Sequence, residues 1–385
     1  MFRKTRLVQA CFCSLLIMGC ATSQTNNPQS NHHVPVGGAT PSALTLNKEA
    51  HPKSGSSVQG RQDYFQADGS LSPYLYEWAQ ELAQLQGIPF TRIEALLKTA
   101  HYNAKAAQLM APNKGQIKRS WNTYKNRFIE PIRIKAGLDF WNQHAEILQR
   151  TAQEYGVPPE ILVSIIGVET IYGRYTGDFR VLDALLTLGF SYPDNSRPER
   201  GKLFRDQLAD LIVLDYQGKI DANTITGSFA GAVGLPQFMP GSLMRYAVDA
   251  DHDGKIDLFH SMPDILASVA NFLIEHGWQP GLPVFAPVQL NDQKAKRFVD
   301  GGLIPQSNWE GLLQAQAVQA PNSRAVAAWM SKPLGVINLI EESRGTAEYR
   351  LATPNFYAIT SYNRSYFYAS TVSDFADLLA RRRAQ

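Results

Sequence analysis

The chain has 385 residues, 44% of them hydrophobic and 18% charged, enough to bury a substantial core and to build two or three structural units. Removing residues 1–19, which hold Arg3, Lys4 and Arg6 and no acid, takes the formal charge from +3 to 0 and leaves no footprint for a nucleic acid. All three cysteines, Cys11, Cys13 and Cys20, fall in the first twenty residues, so the body lacks a pair for a disulfide and a thiolate for catalysis or zinc.

Residues 1–19 read as a secretory signal: a basic start, then an apolar run from Leu7 to Met18 that is too short to span a bilayer of ~20 helical residues. The run ends in "LIMGC", which resembles the lipobox of bacterial lipoproteins, with Met18 where Ala or Ser is more usual. That resemblance makes Cys20 the lipidated first residue, and Ala21 after it, rather than Asp, points to the outer membrane. Several acyl chains anchor more firmly than one. Residues 20–70 read as a linker: up to about Asp63 there is no aromatic residue, and Asn, Gln, Ser, Gly and Pro dominate. A flexible tether of ~45 residues has an end-to-end distance of ~40 Å.

Helical signals follow. Residues 72–86 carry Ser72 and Pro73 at cap and first-turn positions, with Tyr74, Trp78, Leu82 and Leu85 on one face. Over 131–155, Ile134, Leu138, Trp141, Ala145, Leu148, Ala152 and Tyr155 recur at spacings of three and four, which predicts one long amphipathic helix. "GVPPE" at 156–160 ends it, and the proline pair opens the next helix. Further helices are predicted over 199–216, 240–248, 262–276 and 366–383. Strand-like composition lies in 283–290, 333–342 and 348–363. The expected architecture is mainly α (α+β): a helical subdomain (71–155), a core (156–280), a small β-rich insertion (281–350) and a C-terminal return to the core (351–385).

The helix "ILVSIIGVETIYGRYTG" at 161–177 places Glu169 on the same face as Leu162, Ile165, Tyr172 and Gly173. Desolvation by such neighbours raises a carboxylic acid's pKa and suits it to donate a proton to a glycosidic oxygen. The other reading is a buried acid neutralised by Arg174 or Arg180, or one that simply reaches solvent at a helix end. The stretch "GSFAGAVGLPQFMPGS" at 227–242 holds four glycines, with Ser228, Gln237 and Phe238 able to bind a sugar by hydrogen bonds and apolar contact, or simply forming a tight junction. It lacks the Gly-Lys-Ser/Thr ending of a phosphate loop. "DADHDGKIDLFHSMPD" at 249–264 has acids at positions 1, 3 and 5 (Asp249, Asp251, Asp253), Gly254 at 6 and a backbone carbonyl from Lys255 at 7, the first half of an EF-hand loop. Position 12 is His260 instead of Glu, so a solvated acidic turn is the other reading.

These motifs, with "SVANFLIEHGW" and "PNFYAITSYNRSYFYA" in the same order, resemble the membrane-bound lytic murein transglycosylase B family over most of residues 75–383. The resemblance implies a lysozyme-like core that cleaves the β-1,4 bond between N-acetylmuramic acid and N-acetylglucosamine. By similarity, Glu169 protonates the glycosidic oxygen and then takes the proton of the muramic acid C6 hydroxyl, which attacks C1 and leaves a 1,6-anhydro end. A lone acid suffices when the substrate brings its own nucleophile, whereas hydrolases usually need two. The resemblance also assigns Ser228 and Gln237 to contacts near the N-acetyl groups and Phe238 to the cleft lining. Tyr362, Asn363 and Tyr368 become the wall facing the acid. Asp264 closes a structural calcium site with Asp249, Asp251, Asp253 and Lys255. The family often has an arginine pair soon after "YP"; here Asp194 and Asn195 intervene, and Arg200 is the candidate. The expected partners are peptidoglycan strands, outer-membrane lipid through Cys20 and proteins of wall synthesis or remodelling, around a monomer. The alternatives are a goose-type-like hydrolytic muramidase and a non-catalytic peptidoglycan-binding lipoprotein.

Overall fold

The computed structural model describes residues 63–112, 118–319 and 327–385, together with His51 and Gly115. The signal segment and Cys20 lie outside the described residues, as does the linker up to Gln62 apart from His51. Packing begins earlier than the expected linker end at 70. Tyr64 is buried, and its hydroxyl meets Ser191 Oγ at 2.7 Å.

The N-terminal helices are α1 (Pro73–Gln86), α2 (Phe90–Leu97), α3 (Ala104–Met110), α4 (Trp121–Phe128), α5 (Pro131–Gln143) and α6 (Ala145–Tyr155). Pro73 opens α1, and Gly87 closes it in the left-handed conformation, where glycine carries no Cβ penalty. The helix expected over 131–155 is two helices. His144 (φ −114°, ψ 23°) breaks it, because α5 packs on the Glu169 helix while α6 packs on the helix Met262–Glu275. The apolar spacing therefore persisted across a real break.

Glu169 ends α7 (Pro159–Thr170), which is buried along nearly its whole length. Beyond it come β1 (Phe179–Arg180), α8 (Val181–Phe190), α9 (Pro198–Tyr216), β2 (Thr226–Gly227), α10 (Pro240–Tyr246) and α11 (Met262–Glu275), with β1 and β2 paired antiparallel. The insertion holds two short helices, α12 (Asp292–Ala295) and α13 (Trp309–Gln314), and a hairpin of β3 (Gly335–Glu341) and β4 (Thr346–Ala352). The stretch 283–290 is not a strand; it makes isolated bridges through Phe285 and Leu290. The second half of 348–363 is also not strand. Thr353 caps, and Pro354 opens, α14 (Pro354–Tyr362), which leads to α15 (Tyr366–Arg383).

The hairpin divides two hydrophobic clusters. Leu334, Val336 and Leu351 face a small cluster around Trp309 and Trp329, while Ile337, Leu339 and Ala352 face the main core. The two-residue period of a strand thus serves both sides of one ribbon. Opposite this ribbon, α15 runs along α7, tied by Ser164 Oγ donating to the Val372 carbonyl at 2.7 Å.

Candidate active site

The polypeptide turns sharply just after Glu169. Ile171 (φ 50°), Tyr172 (φ 58°) and Gly173 (φ 84°) all take left-handed conformations, which cost energy for the two that carry a Cβ. Thr170 holds the turn in place: its hydroxyl donates to the Leu235 carbonyl and accepts from the Gly173 amide. The Tyr172 phenol folds back between α5 and α7. A Cβ at Gly167 would lie 2.3 Å from its oxygen, so only glycine fits there. Arg133, buried on α5, donates from Nε to the Gly167 carbonyl at 2.9 Å, within the last turn of the helix that carries Glu169.

Glu169 is partly buried, and one phenol reaches it: the Tyr368 hydroxyl donates to Glu169 Oε1 at 2.5 Å. Burial pushes the Glu169 carboxyl up from 4.5 to about 7, and the Tyr368 hydrogen bond opposes that rise by stabilising the carboxylate. Tyr368 itself is fully buried and held well above the usual tyrosine range, so it remains a donor. Arg180, one of the two arginines that could have neutralised Glu169, is instead committed to Asp183, Asn223 and Thr99. A carboxyl in this setting can hold a proton near neutral pH and give it up at its exposed edge.

Behind Tyr368 stands an aromatic stack. Tyr362 lies nearly parallel to it, with ring centroids 6.3 Å apart, and its hydroxyl donates to the Pro236 carbonyl at 2.5 Å. Phe238 was expected to line the cleft; it is 2% exposed and packs on Tyr362 and Phe272. It therefore supports the wall from behind. Asn363 follows at the end of α14, partly exposed, and Ser365 caps α15 through the Tyr368 amide.

The glycine-rich loop serves chain packing more than ligand approach. A Cβ on Gly177 would sit 2.1 Å from the Gly227 carbonyl, and one on Gly234 would sit 2.5 Å from the Leu258 carbonyl. Ser228 is buried, with Oγ accepting from the Ala232 amide, and Gln237 Nε2 donates to the carbonyls of Thr176 and Gly234. Ser228 closes the loop on itself, and Gln237 braces it against the turn that follows α7. Arg200 is buried in the first turn of α9, close to Tyr192, whose pKa burial raises while the Arg200 charge opposes that rise.

In the acidic loop the carboxylates of Asp249, Asp251 and Asp264 converge, one oxygen of each within 4.8 Å of the others. Asp264 is 1% exposed and accepts from the amides of Ala250 and Asp257, so the first turn of α11 closes the loop. Asp249 Oδ1 is buried without a protein partner, the condition a cation would relieve. Asp253 was expected among the ligands but stands outside this triplet, its Oδ1 accepting from the Lys255 amide at 2.8 Å. His260, in the position where an EF-hand has Glu, pairs with Asp257 at 3.0 Å.

Residue spacing pointed to Glu169 and to Asp249 and Asp251, and the family resemblance to Asp264, but neither pointed to the supports, Thr170, Tyr172 and Arg133. The glycines at 137 and 167, which make room for a ring, were the available signal.

Residues 71–377 match the family model described as "Transglycosylase SLT domain". The chain is 36% identical over 300 residues to the membrane-bound lytic murein transglycosylase B of Escherichia coli K12, covering 76% of each. Among solved structures, soluble lytic transglycosylase SltB1 of Pseudomonas aeruginosa is 38% identical with a TM-score of 0.71, covering 81% of this chain and all of that one. The Escherichia coli lytic transglycosylase Slt35 in complex with calcium is 30% identical with a TM-score of 0.68, covering 87% and 100%. With that extent of match, in sequence and in lysozyme-like fold, the chain belongs to the SLT-domain family and is a lytic transglycosylase of peptidoglycan.

Proposed function

We propose that Glu169 is the sole acid–base of the reaction, cleaving the β-1,4 bond between N-acetylmuramic acid and N-acetylglucosamine. The observation that carries this reading is the apolar setting that brings its carboxyl to about 7, with one phenol donating to it. Protonated, Glu169 gives its proton to the glycosidic oxygen as the C1–O bond breaks. As carboxylate, it takes the proton from the muramic acid C6 hydroxyl while that oxygen bonds to C1. The product then carries a 1,6-anhydro end and the acid is restored. Tyr368 orients the carboxyl, and Tyr362 and Asn363 complete the wall. Ser228 and Gln237 shape the loop beneath the sugar, and Arg200 is the candidate for stem-peptide contact. The test is mass spectrometry of products from purified sacculi. Ends one water lighter than hydrolysed ends support the reading, and their loss by at least about 10³-fold in Glu169→Gln assigns the acid. Hydrolysed ends, or a fully active Glu169→Gln protein, overturn it.

The anchoring is part of the same reading. The relative in Escherichia coli is membrane-bound, and no described helix of this chain is long and apolar enough to cross a bilayer. Lipid on Cys20 would hold the body at the periplasmic face of the outer membrane, near its polymer. In cell fractionation, Cys20→Ser moves the protein from the membrane to the soluble fraction; unchanged membrane association excludes the lipid. The acidic loop holds a structural calcium ion through Asp249, Asp251 and Asp264, with Asp253 and the Lys255 carbonyl as further ligands, a reading supported by the unpartnered Asp249 Oδ1 and by the calcium complex of Slt35.

A further inference from the structure

A second groove lies at the far end of α15 from Tyr368. Fifteen residues of helix separate Tyr368 from Arg383, about 22 Å along the axis. The groove has a volume of about 480 Å³ and is open to solvent. Glu146, Gln149, Arg150 and Gln153 line one side, and Trp141 with Arg383 the other.

The four α6 residues follow the i, i+3, i+4, i+7 spacing of a single helix face, opposite the face through which Leu148 and Thr151 are buried. All four are exposed, and their side chains have no hydrogen-bond or ion-pair partner among the described residues. Across the groove, Arg383 is fixed over the buried Trp141 ring at 4.8 Å and donates weakly to Asn142 Oδ1 at 3.4 Å. Arg381 and Arg382 continue the positive charge on the same helix end. Two guanidinium groups recognise carboxylates, while glutamine amides and one carboxylate recognise sugar hydroxyls and amides.

We propose that this groove is an auxiliary site for the same polymer, gripping carboxylate-bearing sugar–peptide units of a strand whose cleaved bond lies at Glu169. The proposal rests on the assignment of peptidoglycan as substrate and extends it from one bond to a length of strand. Two contacts at opposite ends of α15 make binding of a long strand partly intramolecular, so the polymer gains affinity that a short fragment cannot.

The test measures binding in a Glu169→Gln background, where no cleavage intervenes and the identity of the product has no bearing. Retention on purified sacculi is compared with affinity for a soluble disaccharide–peptide fragment, for the background protein and for the same protein carrying Arg150→Glu and Arg383→Glu. The double variant is expected to lose about tenfold in sacculus affinity, equivalent to ~1.4 kcal/mol, with fragment affinity unchanged. Arg150→Lys with Arg383→Lys retains most of the sacculus binding. Unchanged sacculus retention overturns the proposal. Equal loss for polymer and fragment, the mark of a general fold defect, overturns it too, as does loss confined to anionic phospholipid vesicles, which would make the groove a lipid contact.

Discussion

At Glu169 two influences oppose each other, and in the proposed mechanism their balance decides the pH range of the enzyme. Apolar packing disfavours the charged carboxylate, and the Tyr368 phenol favours it; packing wins, leaving the group at about 7 against an ordinary 4.5. The proton-donating form therefore prevails below about pH 7 and is lost above it, which places a falling limb of kcat/KM there. Tyr368→Phe removes the one donor that stabilises the carboxylate, so the pKa rises and that limb moves to higher pH, by up to roughly one unit. A pH–rate profile checks it; a limb that stays in place or moves down would deny the hydrogen bond any electrostatic role. The helical spacing alone revealed that Glu169 shares a face with core residues, because burial and face are coupled in a helix. It could not reveal that Phe238 sits behind the wall, since a loop residue has no such coupling and its direction is set by Tyr362 and Phe272.

Among the elements, the helix over 131–155 and the acidic loop show two limits of reading spacing. The apolar repeat from Ile134 to Tyr155 satisfied one helical phase, yet α5 packs on α7 and α15 while α6 packs chiefly on α11, and only tertiary packing distinguishes that from a continuous helix. Over 348–363, β-branched and aromatic residues read as strand, but Thr353 and Pro354 convert the second half into α14. For the acidic loop the alternate spacing of Asp249, Asp251 and Asp253 was legible, whereas the convergence of Asp249 and Asp251 with Asp264, on the first turn of α11, is set by the fold. Three converging carboxylates repel one another until a cation arrives, so calcium should raise the melting temperature. At a hundredfold excess over the dissociation constant the gain is about 2.7 kcal/mol. Asp249→Asn is expected to abolish most of that gain without impairing the apoprotein. Thermal melts with calcium and with chelator measure both, and a melting temperature indifferent to calcium removes the ion from the account.

For the whole molecule the decisive piece is the β3–β4 ribbon, which the sequence reading placed inside a separate β-rich insertion. It is also a wall of the main core, with Ile337 and Leu339 on one side and Val336 and Leu334 on the other. The ribbon's outer strand is clamped to α15: Arg350 makes two bonds to Asp374, at 2.5 and 3.0 Å, and one to Glu348 at 2.6 Å, with Trp121 and Phe285 against its guanidinium. Because α15 also presents Tyr368 to Glu169, the insertion and the proposed reacting centre share one helix. Removing Arg350 leaves Asp374 with only the Lys125 ammonium at 3.8 Å, at a cost of about 1–3 kcal/mol. If the two clusters fold as one unit, Arg350→Ala lowers the melting temperature of a single calorimetric transition whose van't Hoff and calorimetric enthalpies still agree. If they fold independently, the scan splits, and only the transition of the small Trp309–Trp329 cluster moves. The shared strand favours the first outcome, since neither cluster can lose it without exposing its own apolar face.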